Sequence, residues 1–148
     1  MDLPKYQLSA ENSLTVFEFV SVGSKGKIPK LILFSETHLK DFYNLGFGDK
    51  NLETGDVDDK VVSDNGDSDK VLATVVSAVY AFTDLNPNTW VYATGSTKAR
   101  TRLYRMGISR YYKKIKEDFE LYGLKDDKWI EFDKKIDFEA FVVRRLKI

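Results

Sequence analysis

The segment TWVYATGSTKARTRLYRMGISRYYKKIK, Thr89 to Lys116, holds the residues whose types and spacing best suggest a chemistry. Three small residues lead into a run rich in arginine and lysine. The first amide groups of a helix lack partners and carry partial positive charge, so a Gly-Ser-Thr turn before a helix can hold a phosphate or carboxylate. Arginine adds forked, charge-assisted contacts. The pattern predicts an anion site with these ligand-binding residues: Ser96, Thr97, Arg100, Arg102 and Arg105.

The same residues have a plainer interpretation. Ser96 or Thr97 would cap a helix, and the basic side chains would form a solvated face. A basic stripe also follows the predicted helix at steps of three and four, and it either tracks a phosphate backbone or faces water. Its members are Lys98, Arg102, Arg105, Ser109, Lys113 and Lys116. No helix-turn-helix, zinc-finger or RNA-binding signature accompanies the stripe, so both interpretations stay open.

Other chemistries find little support in the residues. The chain has no cysteine, which excludes disulfides, thiolate metal sites and cysteine nucleophiles. His38, the single histidine, lies in a segment typical of a surface turn. The DNGDSD string within the acidic stretch, Asp56 to Asp69, lacks the spacing of a calcium loop, because Gly66 comes third rather than sixth when counted from Asp64. The sequence predicts no catalytic residue, no metal and no cofactor.

Composition limits the classes of protein to which the chain can belong. Its 148 residues suit a single domain spanning 1–148. The 23 basic and 23 acidic side chains cancel, so any attraction for nucleic acid must come from a local patch. No apolar run approaches the ~20 residues of a membrane helix, and no leader-like start is present. The sequence therefore predicts a cytoplasmic protein of bacterial type without membrane contact.

Apolar periodicity predicts strands first and then alternating helices and strands. Two runs around VGSKGK predict a hairpin, Leu14 to Ser21 and Ile28 to Phe34, and Phe42 to Asp49 predicts a third strand. Two helices flank a strand at Thr89 to Thr94, and the WIEF and FEAFVVRRLKI runs predict a closing antiparallel pair. This order indicates an α+β class with a mostly antiparallel sheet.

Each predicted helix has one apolar stripe, so both helices are expected on the same face of the sheet. The stripes are expected in a common core, and the opposite face must be polar or covered. The stripe residues are Val75, Val79, Phe82, Tyr104, Ile108 and Ile115.

Four separated strings resemble an uncharacterised family of bacterial proteins of roughly this length. They are FEFVSVGSKGKIPK, NLGFGD, DNGDSDKVLATV and GSTKARTRLYR, and the resemblance extends over nearly the whole chain. The resemblance implies a compact domain and brings no activity, ligand or catalytic residue with it. The last string is the most polar of the four, which keeps the anion site as the leading hypothesis.

Three functions follow from these observations. The first is a binding module for a phosphate-bearing partner, either a nucleotide or a nucleic acid, at Gly95 to Arg105. The second is a protein-interaction partner, such as one half of a bacterial toxin or defence pair, anchored by Tyr111, Tyr112 and Tyr122. The third is an enzyme that uses the acidic stretch with a divalent metal. No residue pattern points to an enzyme strongly, so the binding module is preferred.

Overall fold

The computed structural model describes residues 5–10, 15–58, 65–95 and 97–146. Within these ranges the chain forms a mostly antiparallel nine-stranded sheet with three helices, which confirms the predicted α+β class. The second predicted helix is two helices, because Tyr111 departs from helical geometry. The elements in chain order are β1 (Ser9–Ala10), β2 (Val16–Gly23), β3 (Gly26–Glu36), β4 (Phe42–Lys50), β5 (Val57–Asp58), α1 (Ser68–Leu85), β6 (Trp90–Ala93), α2 (Lys98–Arg110), α3 (Tyr112–Asp118), β7 (Phe119–Lys125), β8 (Lys128–Glu131) and β9 (Ala140–Arg145).

Strands β2, β3 and β4 form an antiparallel meander, and the predicted hairpin is confirmed. A two-residue turn joins β2 to β3, and Gly26 after it has a φ of 90°, in the left-handed region that favours glycine. Side chains alternate between the two faces of a strand. The register therefore places Phe17, Ile32 and Phe47 side by side on one face.

Helix α1 carries the chain from β4 to β6, two neighbouring strands that run parallel. Such neighbours need a crossover connection, which is commonly a helix. The pairing covers four residues of each strand, from Phe42 opposite Trp90 to Leu45 opposite Ala93. Because β4 continues to Lys50, well past the end of β6, the ladder between the two strands stops before β4 does.

The last strand, β9, lies between β6 and β7, and β7 also pairs with β8. The prediction that the WIEF and FEAFVVRRLKI runs pair with each other is therefore wrong. Both runs pair with β7, a strand that the apolar periodicity does not predict. The apolar stripe of the helix continues to Phe119, but the helix ends at Asp118 and Phe119 already belongs to the sheet.

The helices pack on one face of the sheet. Val75, Phe82 and Tyr104 are buried in the main core, where the ring of Phe82 stacks on Phe34 with centroids 4.3 Å apart. Ile115 lies in an adjoining cluster with Phe119. The two remaining stripe residues, Val79 and Ile108, are partly buried against the main core. The expectation that both stripes face the protein interior is confirmed.

Aromatic side chains cover much of the other face of the sheet. Tyr92 contacts Phe42 and Trp129, with ring centroids 5.8 and 6.0 Å apart, and Trp90 contacts Tyr122 at 6.1 Å. Val142, between the Tyr92 and Tyr122 positions in the sheet, is buried beneath this aromatic face. The sequence led us to expect that this face is either polar or covered. Its own aromatic side chains cover much of it.

Candidate functional site

The predicted Gly-Ser-Thr turn begins α2 and satisfies part of its own backbone. Thr97 is the N-cap, and its side-chain oxygen accepts from the Arg100 N–H at 3.2 Å. The Gly95 N–H donates to the Thr101 hydroxyl at 3.0 Å. Ser96 lies outside the described residues. Of the helix amide groups expected to meet an anion, that of Arg100 therefore already has an internal acceptor.

The structure does not bring the three predicted arginines together. Successive helical residues are ~100° apart, so Arg102 and Arg105 share one side of α2 while Arg100 lies on another. Arg105 bonds to Asp137 at 3.1 Å, and Arg102 is exposed. The Arg100 side chain is only 6% exposed and lies over the Phe47 ring, 5.0 Å from its centroid.

The turn opens onto a depression of about 540 Å³, which holds Arg102 but not Arg100. Its charges are mixed, since acidic and basic side chains both line it. The lining residues are Thr94, Gly95, Thr97, Lys98, Thr101, Arg102, Lys125, Asp137, Phe138 and Glu139. Thr97 and Arg102 both line this depression. An anion site that uses these two residues remains a prediction.

A second concavity, the Arg100 cleft, lies on the other side of the start of α2. It has a volume of about 290 Å³ and joins an apolar wall to a polar one. Strands β3 and β4, the segment before α1, and helices α1 and α2 all contribute to it. Its lining residues are Lys30, Phe47, Asn65, Asp67, Ser68, Val71, Ala99, Arg100, Leu103 and Met106.

The cleft lies where β4 and β6 cease to pair. The β4–β6 ladder ends at Leu45 and the β4–β5 ladder begins at Asp49, so in the described ranges no strand pairs with Gly46 to Gly48 on that side. Phe47, in this interval, lines the cleft. The cleft therefore lies beside the part of β4 that extends past the β6 ladder.

Two basic side chains of the cleft are buried. Lys30 is 5% exposed and forms an ion pair with Asp49, the residue opposite it in the β3–β4 register. Buried charges require partners, because the protein interior screens and solvates them far less than water does. The cleft lining therefore carries Arg100, the paired Lys30 and the Asp67 carboxylate, so its charges are mixed.

Residues 2–146 match the family model DUF6934. The chain belongs to this family of unknown function. The four strings that resemble an uncharacterised family are thus confirmed as a mark of membership. No curated protein matches the chain, and no solved structure matches it. Among the helices of the described ranges, none has both the length and the apolar character that crossing a bilayer demands.

The polar wall of the cleft in this DUF6934 protein is a hydrogen-bond network around Asp67. Its Oδ2 accepts from the Tyr6 and Ser21 hydroxyls, each at 2.5 Å. Burial, reinforced by the Asp67 carboxylate, raises the pKa of Tyr6, so its hydroxyl remains a donor at neutral pH. The carboxylate is therefore held in one orientation.

Asn65 ties the segment before α1 to the β2–β3 hairpin. Its side-chain amide donates to the Ser21 hydroxyl at 3.1 Å and to the Gly26 carbonyl at 2.9 Å, while its Oδ1 accepts from the Lys25 N–H at 2.6 Å. A Cβ at Gly23 would overlap the Asn65 carbonyl oxygen, so only glycine fits there. These contacts hold Asn65, which lines the Arg100 cleft, against the hairpin.

Sequence reasoning for this DUF6934 chain missed Ser21, Lys30, Asn65 and Asp67 as site residues. For two of these residues, the sequence does contain a signal that could have identified them. Alternation from Phe17 and Ile32 puts Ser21 and Lys30 on the inward face of their strands, where polar residues are unusual. Asn65 and Asp67 carry no such signal, because they resemble ordinary turn and cap residues.

The remaining candidates of the sequence analysis lie apart from the cleft. Tyr111 is buried, so its role as an exposed anchor is wrong, and Tyr112 and Tyr122 are partly buried against neighbouring rings. His38 is exposed. In the ranges described, no three histidine, cysteine, aspartate or glutamate side chains come together as a metal site. Asp59 and Asp64 of the acidic stretch lie outside those ranges.

Proposed function

We propose that this DUF6934 protein is a binding module for a small phosphate-bearing molecule of nucleotide size, held in the Arg100 cleft. The observation that supports this most is the placement of the buried Arg100 guanidinium in the wall of a concavity, close to the Lys30–Asp49 ion pair. A guanidinium offers forked donors that match phosphate oxygens. The volume of about 290 Å³ is close to the lower end of small-molecule sites, ~300–1,000 Å³.

The cleft suits an anion better than the neighbouring depression does. Charges buried among apolar side chains interact more strongly than charges in water. Arg100 lies against Phe47 in such surroundings, whereas Arg102 is exposed to solvent and salt. Carboxylates that would repel a phosphate line both concavities, Asp137 and Glu139 in the depression and Asp67 in the cleft, so burial of Arg100 is the difference between them. The predicted anion ligand is therefore assigned to Arg100 first, with Thr97 and Arg102 as the rival location.

A small molecule fits these features better than a nucleic acid. Backbone recognition relies on several exposed basic groups along one surface. The predicted basic stripe does not provide one straight surface, since α2 ends at Arg110 and α3 begins at Tyr112. Arg105 within it is already bonded to Asp137.

Calorimetric titration with ATP, ADP, AMP, pyrophosphate and a single-stranded oligonucleotide tests the proposal. Arg100→Met keeps a flexible side chain over Phe47 and removes the charge, so it should weaken nucleotide binding about tenfold or more. Arg102→Met is the matched control and should bind as the unmodified protein does. Thermal unfolding of both variants shows whether the fold is intact.

Each other outcome has a defined meaning. Weakening by Arg102→Met alone would move the anion to the depression. Tight binding of the oligonucleotide without nucleotide binding would favour a nucleic-acid partner. If none of these phosphate compounds binds the unmodified protein, the binding-module proposal is refuted.

A protein-interaction role is the second candidate, supported by the aromatic face of the sheet. Trp129 is 43% exposed there, on β8, and its ring contacts Tyr92. A large exposed aromatic side chain is typical of an interaction anchor. A partner retained by the unmodified protein and lost with Trp129→Ser would favour this role, which includes a toxin or defence pair. Retention that Trp129→Ser leaves unchanged would count against it.

A further inference from the structure

Asp67 occupies the N-cap position of α1, but its carboxylate does not cap the helix. Instead the side chain turns to Tyr6 and Ser21, which both donate to its Oδ2. Its Oδ1 has no hydrogen-bond partner in the part of the chain that the structure describes. A carboxylate has about four acceptor positions, so Asp67 retains capacity for a further donor.

The place of Asp67 in the wall of the Arg100 cleft indicates which chemical group of a ligand would donate to its carboxylate. Asp67 lines the Arg100 cleft together with Ser68, so a molecule that fills the cleft meets both the guanidinium and the carboxylate. A carboxylate repels phosphate oxygens, and therefore another part of the ligand must lie beside Asp67. Hydroxyl groups are suitable donors, and an acidic residue that binds ribose hydroxyls is a recurrent device in nucleotide sites.

We infer that the ligand carries hydroxyl groups on a carbon frame next to its phosphate, with the hydroxyls at Asp67 and the phosphate at Arg100. A ribonucleotide and a sugar phosphate both have this chemistry. The inference rests on the proposed function, because it concerns the same cleft. The Tyr6 and Ser21 bonds contribute by holding the carboxylate in place before the ligand arrives.

The experiment is calorimetric titration with four probes: AMP, 2′,3′-dideoxy-AMP, ribose 5-phosphate and inorganic phosphate. The unmodified protein should bind AMP about tenfold more tightly than the dideoxy compound, as expected for hydrogen bonds to a charged group. Asp67→Asn should reduce that ratio to within about threefold. Tyr6→Phe, which removes one bond that orients Asp67, should lower the ratio in the same direction.

Asp69→Asn is the matched control. Asp69 lies two residues further along the same helix turn, is exposed, and pairs with Arg110 outside the cleft. Its replacement should leave the AMP to dideoxy-AMP ratio unchanged. A general loss of stability would alter both affinities together, so the ratio separates a role in recognition from a structural one.

The probes also separate the two sources of hydroxyl groups. Tight binding of AMP with weak ribose 5-phosphate binding supports a nucleotide, and the reverse supports a sugar phosphate. Equal affinity for AMP and dideoxy-AMP overturns this inference, while phosphate binding through Arg100 stands. If all four probes fail to bind, the proposed function fails and this inference fails with it.

Discussion

Replacing Lys30 by methionine should destabilise the protein strongly, whether or not a ligand is present. The change removes one member of a buried ion pair and leaves Asp49 without that counter-charge. The two side chains are only 6% and 15% exposed, so water replaces little of the lost interaction. Breaking a buried pair from one side costs about 3–5 kcal/mol. Because Asp49 retains some contact with solvent, we expect about 3 kcal/mol.

Urea-induced unfolding followed by far-ultraviolet circular dichroism measures this loss. Lys50→Met is the matched control, since Lys50 follows Asp49 on the same strand and pairs with Glu18 at exposures of 31% and 39%. It should cost less than about 1 kcal/mol. The double variant Lys30→Met/Asp49→Asn should recover part of the Lys30→Met loss, because it removes the unpaired charge.

A loss below about 1 kcal/mol for Lys30→Met would refute this reasoning about the buried pair. It would mean that Asp49 finds water or another partner without cost. Such a result would also remove the structural explanation for Lys30 in the cleft and leave ligand binding as its main role. A loss near the expected value means that Lys30 stabilises the fold in addition to shaping the cleft.

Three further predictions concern glycine packing, acid sensitivity and metals. Gly123→Ala should cost about 2 kcal/mol in urea unfolding because its Cβ would overlap a buried phenylalanine ring, whereas Gly46→Ala, with no atom nearer than 3.9 Å, should change stability by less than about 1 kcal/mol. The hydrogen bond from Tyr80 holds the pKa of Asp118 below its usual value, so the stability it contributes is present above pH ~4 and is lost as pH falls through the lowered pKa. Tyr80→Phe should make the loss of stability between pH ~5 and ~3 less steep, and an unchanged slope would contradict this. The acidic stretch should bind no calcium in calorimetric titration, and micromolar affinity would overturn that prediction.

The fold was largely accessible from the sequence because its main signals are local. The apolar stripe of α1 and the VGSKGK turn each follow from spacing within about twenty residues. The pairing of β7, β8 and β9 did not follow, because the choice of neighbour depends on contacts far apart in the chain. The break at Tyr111 was also missed, since an apolar side chain at the right spacing continues the helical pattern regardless of backbone geometry.

The candidate site could be predicted from the sequence less completely than the fold. Spacing selected the start of α2 as a region rich in basic residues, but it grouped Arg100 with Arg102 and Arg105. The structure places Arg100 over Phe47, a residue on a distant strand, and no local pattern records that neighbour. The Asp67 carboxylate illustrates the same limit, because its orientation is set by Tyr6, 61 residues away.

The position of β9 has a consequence for how the protein is made on the ribosome. The strand that joins β6 to β7 is the last of the described strands to leave the exit tunnel, so the two parts of the sheet stay separate until residue 145 has emerged. Until then β6 lacks its β9 neighbour, and an unpaired strand edge is prone to associate with other chains. Closure of the sheet is therefore later than the other pairings among the described strands, and its pairing of residues distant in the chain slows it further.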